Sequence, residues 1–177
     1  MSGQSLHTLS VLVEDRSGVL ARVANLFAAR GFNIHSLAVG TTEEAGFSRM
    51  TIVVDVQKKP LEQVVKQLNK LVNVIKVQEL EAREAVEREL ALIKVRAEGD
   101  ARARVIEIAN IFRARVLDVT HQTLTIEATG TPDKIEAFLE LLAEFGIVEM
   151  TRTGRLALGR GDRGIKERLL RRVASDG

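Results

Sequence analysis

The residues best placed to do chemistry lie in a short loop from Asp15 to Gly18, which an apolar stretch with helical spacing follows at once. A helix begins with unpaired amide groups and the positive end of its dipole, so its first turn attracts a carboxylate. Glycine leaves those amides accessible because it has no Cβ, and Asp15 could hold an ammonium group. The loop thus suits the two charges of a free amino acid, but spacing alone favours an ordinary turn with Ser17 as helix cap.

Other groups with chemical potential are scattered along the chain. The three histidines, His7, His35 and His121, are far apart and have no partner at metal-ligand spacing. The absence of cysteine excludes disulfides, thiolate catalysis and cysteine-ligated metals. Carboxylates lie mostly on helix faces, where pairing with a basic residue four positions away is the simple explanation. We therefore predict no catalytic residue and no metal site.

Composition narrows the classes of function. From Arg152 onward eight Lys and Arg residues outnumber three Asp and Glu, so the basic character belongs to the tail. The chain has no Trp, no Tyr and six Phe, which removes the aromatic surface on which most single-strand nucleic-acid binders stack bases. No apolar run approaches the ~20 residues that span a bilayer, and the start does not resemble a signal peptide. We expect a cytoplasmic protein that binds neither nucleic acid nor membrane.

Both halves of the chain show the element order βαββαβ. Alternating apolar residues predict the strands of the first half, at 7–14, 32–40, 47–56 and 73–80. Its helices begin after Ser17 and at Pro60, and Gly31 ends the first of them. The same criteria predict the strands of the second half, at 90–95, at 147–152 and as a pair between 115 and 128. Helical spacing marks its two helices, around Val105 and after Pro132.

This repetition predicts an α+β fold of two tandem ferredoxin-like sandwiches, each with two helices on one face of an antiparallel sheet. We expect domains at 1–80 and 90–158, a charged linker at 81–89 and a basic tail at 159–177. The far face of the first sheet is expected to be uncovered, with Thr8, Ser10 and Leu12 on it. Alternation would add Asn33, His35, Leu37 and Val39 from the second strand. Such a mixed face is often completed by another chain, which favours a homodimer.

Several motifs together resemble a known family. The stretch EDRSGVLARVANLFAARGFNI after a strand looks like the ligand-binding start of an ACT domain. That stretch, together with SRMTIVV, LEQVVKQLNKLVNVIKV, VERELALIKV, IFRARVLDVT and TRTGRLALGRG, is similar to the small regulatory subunit of acetolactate synthase. The motifs occur in the family's order from about residue 6 to 162, so the resemblance covers nearly the whole chain.

The resemblance implies an N-terminal ACT domain that pairs side by side with its copy in a homodimer. An amino-acid effector then sits at the ACT–ACT interface, with its carboxylate on backbone amides around Gly18 and polar contacts from Asp15 and Asn33. At Asp15 the family commonly has asparagine. Ile34 and His35 match residues that contribute from the strand edge of the facing chain. The positions that the resemblance assigns to the effector are Asp15, Ser17, Gly18, Val19, Leu20, Asn33, Ile34 and His35.

The resemblance also implies a regulatory subunit that is not catalytic alone. It would bind and activate a large catalytic subunit that carries thiamine diphosphate, Mg²⁺ and FAD, hold no cofactor itself, and confer feedback inhibition by valine or a related branched-chain amino acid. One alternative is a stand-alone amino-acid sensor that acts on transcription, with the basic tail on nucleic acid. Another is an independent enzyme.

Overall fold

The computed structural model describes residues 6–55, 61–162 and 164–165, which form two compact units. The first unit contains one antiparallel sheet with the strand order β2-β3-β1-β4. Its helices and strands run in chain order as β1 (Leu6–Glu14), α1 (Val19–Arg30), β2 (Asn33–Thr41), β3 (Phe47–Asp55), α2 (Leu61–Leu68) and β4 (Val74–Leu80). This is the predicted βαββαβ order.

The core of the first unit lies between the sheet and its two helices. Strand residues at every second position point to the helices, as Leu9, Val11 and Val13 do on β1. Opposite them, α1 buries one stripe at helical spacing, formed by Val19, Val23 and Phe27. The helix ends at Gly31, whose φ of 65° is a left-handed conformation that glycine adopts without strain. The predicted helix stop is therefore confirmed.

The second unit repeats this architecture with the strand order β6-β7-β5-β8. Its elements are β5 (Ala85–Arg96), α3 (Asp100–Ile111), β6 (Arg115–Val119), β7 (Thr123–Gly130), α4 (Pro132–Ala143) and β8 (Ile147–Arg152). Its core joins the inner face of β5 and β7 to both helices, and includes a contact between the rings of Phe112 and Phe138 with centroids 5.1 Å apart. The two units confirm the predicted pair of ferredoxin-like sandwiches.

The predicted linker and tail contain regular structure that the sequence pattern did not reveal. Strand β5 begins at Ala85, so residues 85–89 of the expected linker are extended. A further strand, β9 (Leu156–Gly159), pairs with β5. The amide of Arg160 donates to the carbonyl of Glu84 at 2.7 Å, and the described residues from Ala157 onward group with the first unit. Contacts between segments distant in sequence therefore order the start of the predicted tail.

The expectation of an uncovered face on β1 is wrong. Thr8, Ser10 and Leu12 are 4%, 1% and 1% exposed. One cause lies in the first unit itself, because Leu80, which pairs with Thr8, packs with Ala85 and Ala157 in a small apolar cluster. The face around β1 therefore does not present the surface on which the sequence argument for a homodimer relied.

The predicted alternation along β2 is also wrong in part. The pairing with β3 shifts between Ile34 and Ser36, which leaves His35 as the extra residue of a β-bulge. The bulge reverses the side to which the following residues point. As a result Leu37 packs on the helix-side core together with Ile34, rather than on the far face.

Some predictions fall outside the described residues, namely the first turn at Pro60 and the tail from 166 to 177. Within the part of the chain that is described, no helix is long and apolar enough to cross a membrane. The described residues also contain no group of three or more His, Asp or Glu side chains arranged to hold a metal ion.

Candidate functional site

The loop between β1 and α1 is built around Gly18. Helix α1 begins at Val19, and Gly18 is its N-cap with φ 84° and ψ −8°, a left-handed conformation. The carbonyl of Gly18 accepts the amide of Arg22 at 3.0 Å. Among the described residues no side chain caps the helix, so the prediction that Ser17 is the N-cap is wrong. A serine side chain is the usual cap, but here the left-handed turn moves the cap position one residue further.

The first turn of α1 is open to solvent. A Cβ built on Gly18 would meet no atom within 4 Å in the part of the chain that the structure describes. The amide of Val19 donates to Arg16 at 3.3 Å, whereas the amides of Leu20 and Ala21 make no hydrogen bond to the described residues. The side chain of Leu20 is 45% exposed beside them. Free amides, the helix dipole and an exposed apolar side chain therefore meet at one place.

A polar network holds this loop in position. The amide of Asp15 donates to the carbonyl of Gly46 at 2.8 Å, which ties the loop to the β2–β3 hairpin. The side-chain amide of Asn73 donates to Glu14 at 2.8 Å, and its oxygen accepts a hydrogen bond from Arg22 at 2.6 Å. Sequence reasoning missed Asn73, because this contact spans 59 residues and leaves no local pattern.

The eight predicted effector residues form two separate groups in one chain. Asp15, Ser17, Gly18 and Leu20 are exposed at the end where β1 finishes, while the Val19 side chain is buried in the core. The second group lies at the opposite end of the sheet, since Asn33 and Leu6 both pair with Asp55. A nine-residue strand spans about 26 Å. A single chain therefore does not bring Asn33, Ile34 and His35 to Gly18.

Strand β2 is an edge of its sheet, because it pairs with β3 alone among the described strands. Asn33 and His35 are exposed on it, as are the residues from Val39 to Thr41. An edge strand presents a row of backbone groups that can pair with another chain. Unlike the buried face around β1, this exposed edge is available for strand pairing.

The strongest ionic contacts lie in the second unit and are structural. Arg152 binds Glu89 at 2.5 Å and Glu136 at 2.7 Å. Burial works against the charge of Arg152, yet the hydrogen bonds that Arg152 donates to the two carboxylates outweigh it and raise its pKa above the ordinary value. On the far face of the sheet Lys94 donates to Glu149 at 2.7 Å, and this hydrogen bond raises the pKa of Lys94 and lowers that of Glu149.

The fold and the open glycine loop define a class of protein, one in which an N-terminal ACT domain is followed by a second ferredoxin-like domain. Residues 9–76 match the family model described as the AHAS small subunit-like ACT domain. Residues 88–161 match the model for the small subunit of acetolactate synthase. The chain therefore belongs to the family of acetolactate synthase small subunits.

Individual relatives agree with this assignment. The acetolactate synthase small subunit of Mycolicibacterium smegmatis is 60% identical over 164 residues, which cover 93% of this chain and 96% of the relative. The corresponding protein of Mycobacterium leprae is 61% identical over 165 residues, 93% of this chain and 98% of the relative. The crystal structure of the small subunit from Thermotoga maritima superposes with a TM-score of 0.83 at 43% identity, and covers 89% of this chain and 99% of that one.

Proposed function

We propose that this chain is the regulatory subunit of a cytoplasmic acetolactate synthase in branched-chain amino-acid biosynthesis. In this role it binds a large catalytic subunit, which holds thiamine diphosphate, Mg²⁺ and FAD, and raises its activity. It is not catalytic alone, and it makes the complex sensitive to valine or a related amino acid. Support comes from membership of the small-subunit family and from matches that cover both units.

The observation that carries the effector site is the open first turn of α1. Left-handed Gly18 places no side chain over the helix amides, so the effector carboxylate can accept hydrogen bonds from Leu20 and Ala21. The exposed carboxylate of Asp15 faces the effector ammonium group. The exposed side chain of Leu20 then provides an apolar contact for a branched aliphatic side chain. The groups of this loop match the three parts of valine.

The site is complete only in a homodimer. Two copies that pair their β2 edges in antiparallel fashion place the start of one β2 beside the end of the other. The hydrogen bond from Asp15 to Gly46 holds the Gly18 loop at the end of β2. Asn33 and His35 of one copy thereby approach the Gly18 loop of the other, which one chain cannot achieve by itself. An eight-stranded sheet with two effector sites follows.

Feedback then works by a shift in population. Valine bridges two ACT domains and stabilises the dimer geometry in which both halves of each site are in place. The large subunit binds that geometry and the valine-free one with different free energies. The coupling is reciprocal. Binding of the large subunit must therefore change the affinity for valine by the same factor by which valine changes the affinity for the large subunit.

Calorimetry of the isolated chain tests this proposal. Valine should bind saturably at one site per chain, and Asp15→Asn should lower the affinity about two- to fivefold, the scale of an exposed ion pair. Asp133→Asn, an exposed carboxylate in the first turn of α4, should leave the affinity unchanged. Absence of binding by valine, leucine and isoleucine, or equal affinity of Asp15→Asn and the parent chain, would count against the site.

A further inference from the structure

The edge strand β6 of the second unit has the properties of a pairing surface. All five of its residues are exposed, and it pairs with β7 alone among the described strands. Its apolar side chains are open to water, since Val116, Leu117 and Val119 are 36%, 55% and 58% exposed. Unpaired backbone groups next to exposed apolar side chains make an edge that readily accepts another strand.

A β-bulge arranges the charges of this strand. Arg115 pairs with Glu127 and Asp118 pairs with Thr125, while Leu117 is the extra residue. Because of the extra residue, Arg115 and Asp118 lie on the same face of the sheet, the face away from the helices. Arg115 touches Glu127 at 3.6 Å and its side chain remains 79% exposed, so its guanidinium group is accessible to a further carboxylate.

These features make β6 complementary to itself. If two copies pair in antiparallel fashion about an axis between Val116 and Leu117, each Arg115 stands opposite the Asp118 of the other copy. Both members of the pair lie on the same face, as directly opposed residues must. Val116 then stands opposite Leu117, which removes two exposed apolar side chains from water. Registers that oppose Arg115 to Arg115 or Asp118 to Asp118 place like charges together and are unfavourable.

We propose that β6 is a second self-association surface, on which the C-terminal units of two copies join their sheets through reciprocal Arg115–Asp118 pairs. The other edge strand, β8, lacks this complementarity. Its Glu149 is held by Lys94 and its Arg152 by Glu89 and Glu136. Glu149 and Arg152 also lie on opposite faces, because they pair with Lys94 and with the core residue Ala91.

Cysteine cross-linking tests this register directly, because the chain contains no cysteine. Opposed residues of an antiparallel pair have Cα atoms about 4.5–5.5 Å apart, within disulfide reach. The full chain with Arg115→Cys and Asp118→Cys should form, under mild oxidation, a band at twice its 19.5 kDa mass on a non-reducing gel. Each single variant should remain at the mass of one chain. In this register position 115 of one copy lies three residues along the strand from position 115 of the other copy, and the same holds for position 118.

A matched control tests whether random collision produces the disulfide. Val148→Cys with Thr151→Cys on β8 has the same spacing and should give no band at double mass. A second set of variants does not depend on cysteine chemistry. Arg115→Asp or Asp118→Arg should each reduce lysine cross-linking between copies at the C-terminal unit, and the double reversal should restore it.

Absence of the double-mass band, or equal bands from the single and β8 variants, would overturn the proposal. The effector site proposed above lies in the other unit. If these variants still bind valine, the negative result therefore concerns β6 and not the effector site.

Discussion

At the scale of single residues, Gly18 determines whether the loop is a turn or a binding device. The sequence left both interpretations open, because a turn and a ligand site both call for glycine. The structure shows a left-handed N-cap with empty space where a Cβ would be. Neighbouring atoms would therefore leave room for a side chain at this position. Glycine is required by the left-handed backbone conformation and by access to the helix amides.

The left-handed conformation of Gly18 predicts that alanine substitutions at two glycines will change the free energy of unfolding in opposite directions. Gly18→Ala should lower the free energy of unfolding by about 1 kcal/mol, because an L-residue in the left-handed region is strained. Gly40→Ala on β2 has equal space and no positive φ, so it should raise stability by about 0.5 kcal/mol through the unfolded chain. Urea denaturation measures both. Equal effects from the two variants would show that the conformation of Gly18 is not strained for alanine.

At the scale of elements, the ion triad of Arg152, Glu89 and Glu136 joins the first and last strands of the second unit to helix α4. Glu89 on β5 is 6% exposed, and Arg152 on β8 links it to Glu136 on α4. A buried carboxylate without a cation is costly, so Glu89 favours the position of β8 that keeps Arg152 beside it. Strand β8 thus reaches its register through charge as well as backbone pairing.

Arg152→Met should therefore destabilise the chain by about 2 kcal/mol, since it leaves Glu89 buried without its partner. The added change Glu89→Gln should recover much of that loss by removing the buried charge. Arg104→Met, which breaks the exposed pair with Glu144, should cost less than about 1 kcal/mol. Thermal and urea unfolding provide the comparison, and a loss at Arg152 no greater than at Arg104 would contradict the role of the triad.

At the scale of the whole molecule, hydrophobic periodicity was sufficient for the two βαββαβ units. Alternating and helical patterns are local, so the core residues Leu9 and Phe27 could be placed from sequence alone. Features that depend on pairing between distant segments were missed. The bulge at His35 is visible only against β3, and the pairing of β9 only against β5.

Local residues predicted the chemistry of the candidate site, whereas its assembly between two chains was predicted only by the family resemblance. Local glycine and helix-start signals made Gly18 a candidate, and the family resemblance assigned it to the effector. Val19, assigned in the same way, is a core residue because helical spacing turns it inward. No sequence pattern gives the distance between the Gly18 loop and Asn33, which only the strand register supplies. That distance is the reason the proposed site needs two chains.

Reconstitution with the large subunit tests the central claim most directly. Acetolactate formation should rise when the chain is added to the large subunit and fall when valine is then added. With Gly18→Val, activation should persist while inhibition by valine is lost, because the new side chain covers the first-turn amides but not the rest of the subunit. No activation by the parent chain, or valine inhibition that survives Gly18→Val unchanged, would contradict the account.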